Sequence, residues 1–450
     1  MTLARPTHRV EPEAATDPFG VPIRPDVRLL ASWYVDRRPD DLAAHLRRHG
    51  PLPHLAPEEL IARVDAAGLR GRGGAGFPTA AKIRAVVRGR GRRGRRRPVV
   101  VANGCEGEPA SHKDAALLHC APHLVLDGIA LAARATGAGT AYLCVHAGSP
   151  AAQALREQAA ARRDVVSVRV EEVPARYVAS EASALVQYLS GGPALPTSAP
   201  HRASERGVGG APTLVDNVET LAHLALLARH GADWFRVLGT SALPGTLLVT
   251  TGGALRRPGV VEVPAGTPVR AVLDLAGGPV EPVQAVLCGG YGGTWASLDV
   301  LDVPLAPGPL EAVGATLGVP SLLALPVRAC GLTQTAHLLR YLAGESAGQC
   351  GPCTFGLPAL AEDVTALACS GPEAPAAHAR LLRRLELVAG RGACAHPDGA
   401  VRLLRSALRV FDRDLRRHLA GRPCPAAAEA PVLPLPRPGR PILPSSRVSR

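Results

Sequence analysis

Lysine and asparagine are almost absent from this chain of 450 residues. Of its 51 basic residues only Lys82 and Lys113 are lysines, and Asn103 and Asn217 are its two asparagines. A bias toward Arg, Ala, Gly and Pro has removed these types elsewhere, so the four survivors invite a chemical reason. Also missing is any run approaching the ~18–20 consecutive apolar residues of a membrane-spanning helix, which argues against direct membrane insertion. Residues 1–20 carry charges and prolines but no apolar stretch of the secretory-signal kind. The expected location is the cytoplasm, free or held at a membrane through a complex. In that reducing compartment ten cysteines do not imply a disulfide framework, and their spacing is read for metal ligands instead.

The net charge of +13 comes from arginines scattered along the chain, with one exception. Residues 88–97 (RGRGRRGRRR) pack seven arginines between glycines, with no apolar period. That pattern is expected to be a solvated loop, and nucleic-acid binding is not expected.

What is present reads as three kinds of structure. Residues 57–68 (PEELIARVDAAG) open with proline and two acids and close on glycine, as a helix does. Short apolar runs at 98–102 (PVVVA), 141–146 (AYLCVH) and 165–170 alternate with helical stretches at 123–136 and 151–162. Strands alternating with helices at this spacing imply an α/β layer with a mostly parallel sheet. From Gly245 the chain reads strand, turn, strand, Pro-Gly turn and short helix, a compact β-grasp-like unit. From Cys330 it becomes helical, with Val401, Leu404, Leu408, Phe411, Leu415 and Leu419 recurring at steps of three and four as a core stripe.

Four motifs carry the chemistry. The first, GLRGRGGAGFPTAAK (68–82), places Gly71, Gly73, Gly74 and Gly76 before a helix, where backbone can approach a ligand closely. The free N–H groups of the helix then favour a phosphate, and Lys82 adds a point charge. The second, VVVANGCEGEPASHKD (99–114), follows a predicted strand, where α/β sheets place ligands. Asn103 offers both a donor and an acceptor there, and Glu106 and Glu108 are closely spaced acids whose alternative reading is a solvated turn. The third is RYVASEASALVQYLSG (176–191). The fourth, GAPTLVDNVETLAHL (210–224), offers Asp216, Asn217 and Thr220 at a helix start, which suits capping as well as ligand binding.

In order and spacing these motifs resemble the flavin-binding subunit of NADH:quinone oxidoreductase and its relatives in NAD-reducing hydrogenases and formate dehydrogenases. The family runs GRGGAGFPTGLKW, NADESEPGTFKDR, YICGEETAL and KPTxxNNVETL. This chain has GRGGAGFPTAAKI, NGCEGEPASHKDA, YVASEASAL and APTLVDNVETL. The resemblance covers residues ~57–420 and implies an α/β fold with a Rossmann-like FMN-binding domain at 56–240. A β-grasp-like SLBB domain would follow at 241–325 and a C-terminal helical iron–sulfur-binding bundle at 326–421. A partly ordered lead-in (1–55) and a disordered tail (422–450) would flank them. It also implies that Gly71, Arg72, Gly73, Gly74, Phe77, Lys82, Asn103, Glu106, Glu181, Asp216, Asn217 and Thr220 surround FMN. Phe77 would stack near the nicotinamide, and Glu108 and Glu181 would be the catalytic acids, Glu108 touching the nucleotide.

The departures from the family fall in the same places. Cys105 replaces an Asp, Ser180-Glu181-Ala182 replaces Gly-Glu-Glu, and Asp216 replaces the first Asn of a pair. The family's nucleotide-contacting Lys and Phe align with Ala199 and Arg202, and a second aromatic aligns with Ala85. The family's SCGxCxPC reads SAGQCGPC, so Ala347 replaces the first of four cluster cysteines. Cys350 and Cys353 remain, and Cys394 follows Cys353 at C-x40-C.

The metal ligands implied are Cys350, Cys353 and Cys394, and the cofactors are FMN, an iron–sulfur cluster of the 4Fe-4S type, and NAD(H) as substrate. Three outcomes stay open for the cluster: a fourth ligand from water, Ser346, Glu345, Cys330 or Cys369; a three-iron cluster; or none. Cys120, Cys144, Cys288 and Cys424 have no partner spacing and read as structural. The implied activity is electron transfer from a reduced nicotinamide nucleotide through FMN to the cluster and on to a quinone-linked or other partner. The alternatives are a scaffold subunit that docks redox partners without hydride chemistry, and a flavoprotein served by a ferredoxin-like donor.

Overall fold

The computed structural model describes residues 27–93, 96–163, 166–198, 201–422 and 424–436. The lead-in before residue 27, Arg95 of the arginine run, Ala199 of the linking segment and the tail beyond 436 lie outside the described residues.

The first sheet contains β1 (Val99–Asn103), β2 (Thr140–His146), β3 (Val168–Val173) and β4 (Thr213–Asn217), all parallel in the order β3-β2-β1-β4. Alternation along β1 explains its apolar run. Val100 and Ala102 point into one core, with the buried helix Pro122–Thr136, while Val99 and Val101 point into a second core with Leu185 and Val208. A strand covered on both faces needs apolar residues at every position. Strand β4 has no counterpart in the sequence reading, which takes the fourth motif as the start of a helix. That helix does follow, at Val218–Arg236.

The second sheet is mixed, in the order β6-β5-β9-β7-β8, from β5 (Thr246–Gly253), β6 (Gly259–Pro264), β7 (Val283–Cys288), β8 (Thr294–Ala296) and β9 (Ser321–Pro326). Its alternating residues serve two cores. Leu322, Ala324 and Val286 pack with the short helix Val269–Leu275, whereas Leu323, Leu325 and Leu287 pack against the C-terminal helices. Those helices are Gly331–Gly344, Leu357–Ala368, Ala374–Val388, His396–Val410 and Asp412–Leu419. The stripe expected from Val401 to Leu419 does face this core, though the chain breaks between the last two helices at Phe411.

Two expectations need correction, and the lead-in can be located from residue 27. The arginine run is not wholly a loop: the helix Thr79–Arg93 extends into it. Gly89 permits this, because a Cβ there would lie 2.2 Å from the Ser204 carbonyl oxygen that packs against the helix. The lead-in is part of the core from residue 27 onward. The buried Glu262 carboxylate of β6 accepts the N–H groups of Arg28, Leu29 and Leu30 at 2.9–3.1 Å, and Leu29, Leu30 and Trp33 join the first core. Residues 424–436 of the expected disordered tail lie along the helix Gly331–Gly344. Gln334 Nε2 donates to the Ala430 carbonyl at 3.2 Å, and the Val432 N–H donates to Gln334 Oε1 at 2.9 Å.

Among the described residues no single helix is long and apolar enough to cross a membrane.

Candidate functional site

The chain leaves β1 toward β2 on one side, while β4 lies on the other. A reversal of strand order opens a crevice beyond the carboxyl ends of the two strands, the usual ligand position in open α/β sheets. The last residues of β1 and β4 are Asn103 and Asn217, which are register partners. The chain's two asparagines therefore stand side by side at the mouth of the crevice.

A cavity of about 560 Å³ occupies it. One wall is the glycine loop: Gly71, Gly73, Gly74 and Gly76 line the cavity, with Phe77 half exposed at its edge. A Cβ added at Gly71 would meet nothing nearer than the Phe77 carbonyl oxygen at 3.6 Å, and at Gly76 nothing within 4 Å. Space is therefore open beside Gly76, whereas at Gly71 an added Cβ would rest in ordinary contact with the Phe77 backbone. The helix Thr79–Arg93 begins directly after, with its Thr79 N–H donated to the Leu69 carbonyl at 2.9 Å. Lys82 reaches the cavity from its first turns, but its Nζ is bound to Asp216 Oδ1 at 2.8 Å and to the Val215 carbonyl at 3.1 Å. Burial raises the Asp216 carboxyl, and Lys82 opposes that rise.

Two residues implied as flavin contacts stand behind this wall. The Arg72 N–H donates to Thr220 Oγ1 at 2.8 Å, and the buried Arg72 guanidinium donates to the Pro244 carbonyl. Arg72 and Thr220 brace the loop and do not line the cavity, and burial lowers Arg72 to about 10.

The floor is a buried polar network. Lys113 Nζ donates to Asp114 Oδ1 at 2.7 Å, to Glu219 Oε2 at 2.9 Å and to Asn217 Oδ1 at 3.1 Å. Burial alone would lower Lys113, but Asp114 and Glu219 outweigh it and hold the ammonium above its ordinary value. Asn217 also caps the helix Val218–Arg236 through the Glu219 N–H, and its Nδ2 donates to Asp114 Oδ2 at 2.6 Å. Asn103 Nδ2 donates to the Ser180 carbonyl at 2.8 Å, tying β1 to the third motif. All four scarce residues thus meet in one place, and each has a polar partner there.

The acids behave differently from one another. Glu106 accepts from Ser111 Oγ at 2.7 Å and the Ala115 N–H at 3.0 Å, and burial followed by Asp114 pushes it up to about 7. Glu108 Oε2 accepts the Tyr291 N–H at 2.8 Å, while Oε1 is buried without a hydrogen-bond partner. Burial pushes the Glu108 carboxyl to about 8. Glu181 lines the cavity and caps the helix Ala182–Leu189 through the N–H groups of Ser183 and Ala184.

The cysteines adjoin this cavity. Cys394 lines it, together with Ala395 and His396. Cys350 and Cys353 flank the start of a π-helical turn, Pro352–Gly356, a feature common at functional sites. Burial raises Cys353, and the Ser346 hydroxyl opposes the rise. For Cys350, burial is outweighed by the N–H groups of Ala393 and Cys353, which hold the thiol below its ordinary value. Three thiols therefore gather where the sequence places them.

The proposed fourth ligands separate on geometry. Glu345 is committed to Arg176 Nε at 2.7 Å and the Tyr177 N–H at 2.9 Å, and Cys330 sits 3.6 Å from His418. Cys369 is exposed at the far end of the helix Leu357–Ala368, about 18 Å along its axis. Only Ser346 touches the cysteine group, through Cys353.

Sequence reasoning missed Tyr177, His396 and the CGGYGG segment (288–293), which closes the cavity from the second sheet. A Cβ at Gly290 would lie 2.4 Å from Glu108 Oε2, so that glycine makes room for the carboxyl. Four glycines around one tyrosine were the available signal.

The residues present fit the implied groups. A glycine loop and a lysine that line the cavity suit a phosphate, and Asn103, with one donor and one acceptor left over, suits a polar ring edge. Three gathered thiols suit an iron–sulfur cluster short of one cysteine.

Three family models match successive parts of the chain. A family model described as the Nuo51 FMN-binding domain matches residues 64–226. An SLBB domain matches 248–293, and the NADH-ubiquinone oxidoreductase-F iron-sulfur binding region matches 333–418. The chain is 31% identical to an F-type subunit of the NADH-quinone oxidoreductase of Rhizobium meliloti, covering 83% of this chain and 92% of that one. It is also 31% identical to the corresponding NADH-quinone oxidoreductase protein of Streptomyces coelicolor, over 82% and 85%. Among solved structures, NAD+-reducing [NiFe]-hydrogenase in the H2-reduced state superposes with a TM-score of 0.75 at 31% identity, covering 89% of this chain and 72% of that one.

Proposed function

The chain belongs to the family of F-type subunits of NADH-quinone oxidoreductase, and from that membership we propose that it moves electrons from a reduced nicotinamide nucleotide through FMN to an iron–sulfur centre and onward to a partner protein. The observation that carries this reading is one cavity lined by both the glycine loop and Cys394. Donor-side and acceptor-side groups share its walls.

FMN, when bound, supplies the conversion of a two-electron hydride into electrons passed on singly. The chain's own residues do the rest. The loop at Gly71 and Gly76 would let backbone approach the phosphate, with Lys82 beside it. Asn103, at the end of β1, would meet the ring edge with its remaining donor and acceptor, while Asn217, fully bonded to Asn103, Lys113, Asp114 and Glu219, holds the end of β4 beside it. Phe77, at the edge, offers a face on which a nicotinamide can stack. Because the Glu108 carboxyl titrates near 8, it holds a proton at neutral pH. Its Oε2 accepts from Tyr291, so the carboxyl is held in place at the cavity wall. The cluster would be held by Cys350, Cys353 and Cys394, with Ser346 beside Cys353.

Ala182, Asp216 and Ala85 each remove a group that the family resemblance implies for nucleotide or flavin contact. An aromatic stack and a charge partner are each worth about 1 kcal/mol, so the loss of several should weaken NADH binding by about tenfold or more.

Anaerobic purification with flavin, iron and sulfide quantified, followed by NADH titration, tests the proposal. NADH should bleach the flavin absorbance. Bound flavin that NADH fails to bleach, but that a reduced ferredoxin-like protein does reduce, would favour the other donor. Failure to bind FMN at all would leave the scaffold reading, which Ala347 motivates. The cytoplasm is the location that goes with this reading, with the protein joined to its complex through a redox partner.

A further inference from the structure

Outside the cavity, two clusters of metal-ligating side chains stand among the described residues. In one, Asp40, His45 and His49, His45 is already bound to Asp127 at 2.9 Å and Asp40 to Arg48 at 3.2 Å, and the other has no role so far. Cys330 precedes the helix Gly331–Gly344, His418 ends the helix Asp412–Leu419, and Cys424 opens the segment that runs back over the bundle. Their Sγ, Nε2 and Sγ atoms all lie within 4.8 Å of one another. Cys330 and His418 are buried and Cys424 is half-buried.

We propose that Cys330, His418 and Cys424 form a binding site for a single borderline-soft divalent cation, zinc foremost, that clips the C-terminal segment to the helical bundle.

Three features carry this. The first is distance. Zinc holds thiolate sulfur at ~2.3 Å and imidazole nitrogen at ~2.0–2.1 Å, so at a tetrahedral angle the two ligand atoms stand about 3.6 Å apart. Cys330 Sγ and His418 Nε2 are 3.6 Å apart. The second is orientation. His418 Nδ1 lies 3.1 Å from the Leu367 carbonyl, a bond that requires the proton on Nδ1 and leaves the Nε2 lone pair directed at the sulfurs. Metal-ligating histidines are held in this way. The third is ligand chemistry: two thiols and an imidazole select zinc or a comparably soft ion over magnesium or calcium. Binding releases the two thiol protons to solvent, and the two thiolates then balance the dication. Water takes the fourth place on the half-exposed side at Cys424.

The clip has a mechanical purpose. Beyond Cys424 the segment holds the helix Gly331–Gly344 through Gln334 and through His337, whose Nε2 is 2.9 Å from the Glu429 carbonyl. It also receives the Tyr291 hydroxyl on the Pro434 carbonyl. Tyr291 is the residue whose N–H holds Glu108, so the fastened tail supports one wall of the cavity.

The test uses the full-length protein, purified anaerobically and dialysed, with zinc counted separately from iron and flavin. One zinc per chain should be retained by the wild type and by Cys350→Ser, which removes a ligand of the other cysteine group. In Cys424→Ser zinc should be lost, with affinity falling by more than the ~10–100-fold that removing a ligand's hydrogen-bond partner costs. Iron and flavin should stay unchanged in that variant. Cobalt(II) alone, added to the metal-free wild type, should give the intense visible bands of tetrahedral thiolate ligation. A chelator should speed amide exchange across residues 424–436 in the wild type, a readout that needs no variant to fold. Undiminished zinc in Cys424→Ser, absence of the cobalt bands, exchange unaffected by chelator, or thiol counting that finds Cys330 and Cys424 joined as a disulfide would each overturn the proposal.

Discussion

Glu108 Oε2 accepts the backbone N–H of Tyr291 at 2.8 Å, joining the loop after β1 to a turn of the second sheet 183 residues away. The seat is tight, since any side chain at Gly290 would strike the carboxyl. The same seat strips water from Glu108 and drives its pKa to about 8.

That shift has a consequence for stability. A carboxyl raised above its ordinary 4.5 favours the folded state most fully below that pH, and the contribution is lost as pH rises through about 8. Glu108→Gln mimics the protonated group at every pH. In flavin-free protein its melting temperature should match the wild type near pH 5 and exceed it by a margin that widens toward pH 9. A margin constant across that range would show that Glu108 is already ionised at neutral pH.

Asp216 holds Lys82 away from full use by a ligand. Asp216→Asn should release the ammonium toward the flavin phosphate and tighten FMN binding by up to ~10-fold, the equivalent of about 1.4 kcal/mol. Lys82→Ala should weaken it by a similar factor. Equilibrium titration of the flavin-free protein with FMN measures both, and an unchanged dissociation constant in Lys82→Ala would remove the lysine from the site.

The two lysines should differ sharply in stability. Lys113 is fully buried against Asp114 and Glu219, so Lys113→Met leaves two buried carboxylates without their counter-ion. Breaking such a pair costs ~3–5 kcal/mol. Lys82 is one-third exposed and neutralises a single buried carboxylate, Asp216, so its removal should cost less than that of Lys113. Chemical denaturation of the two variants should separate them by several-fold in their effect.

Gly71→Ala should leave the flavin-free protein about as stable as the wild type, because the added methyl meets nothing nearer than 3.6 Å. Because Gly71 lines the cavity, the variant should nevertheless reduce FMN affinity by ~10-fold or more. Loss of stability together with affinity would mean that the glycine serves the fold.

Ala347→Cys restores the missing thiol in SAGQCGPC. Iron and sulfide per chain should rise or resist loss in air, and Cys394→Ser should lower both. Equal iron in wild type and Ala347→Cys would indicate that the fourth position is already supplied, with Ser346 the residue in place to supply it.

Much of the site was legible because its signals are local. The glycine loop, the acids after β1 and the cysteine spacing are short stretches whose backbone demands show directly in residue type. Strand β4 was not legible. Its five residues, TLVDN, end in two polar side chains and read as the lead-in to the following helix; pairing with β1 makes them a strand. Arg72 and Thr220 were likewise placed at the ligand, since a motif shows proximity along the chain but not which way a buried side chain turns.

The sequence by itself determined the order of the three structural units, the flavin-type motifs and the three cysteines, because periodicity, glycine placement and ligand spacing are properties of adjacent residues. Only the tertiary structure decided that Asn103 and Asn217 are neighbours, that Glu108 is pressed under Tyr291, and that Cys330, His418 and Cys424 meet. Each of these depends on packing between segments distant in the chain, and burial and charge pairing exist only once that packing has excluded water.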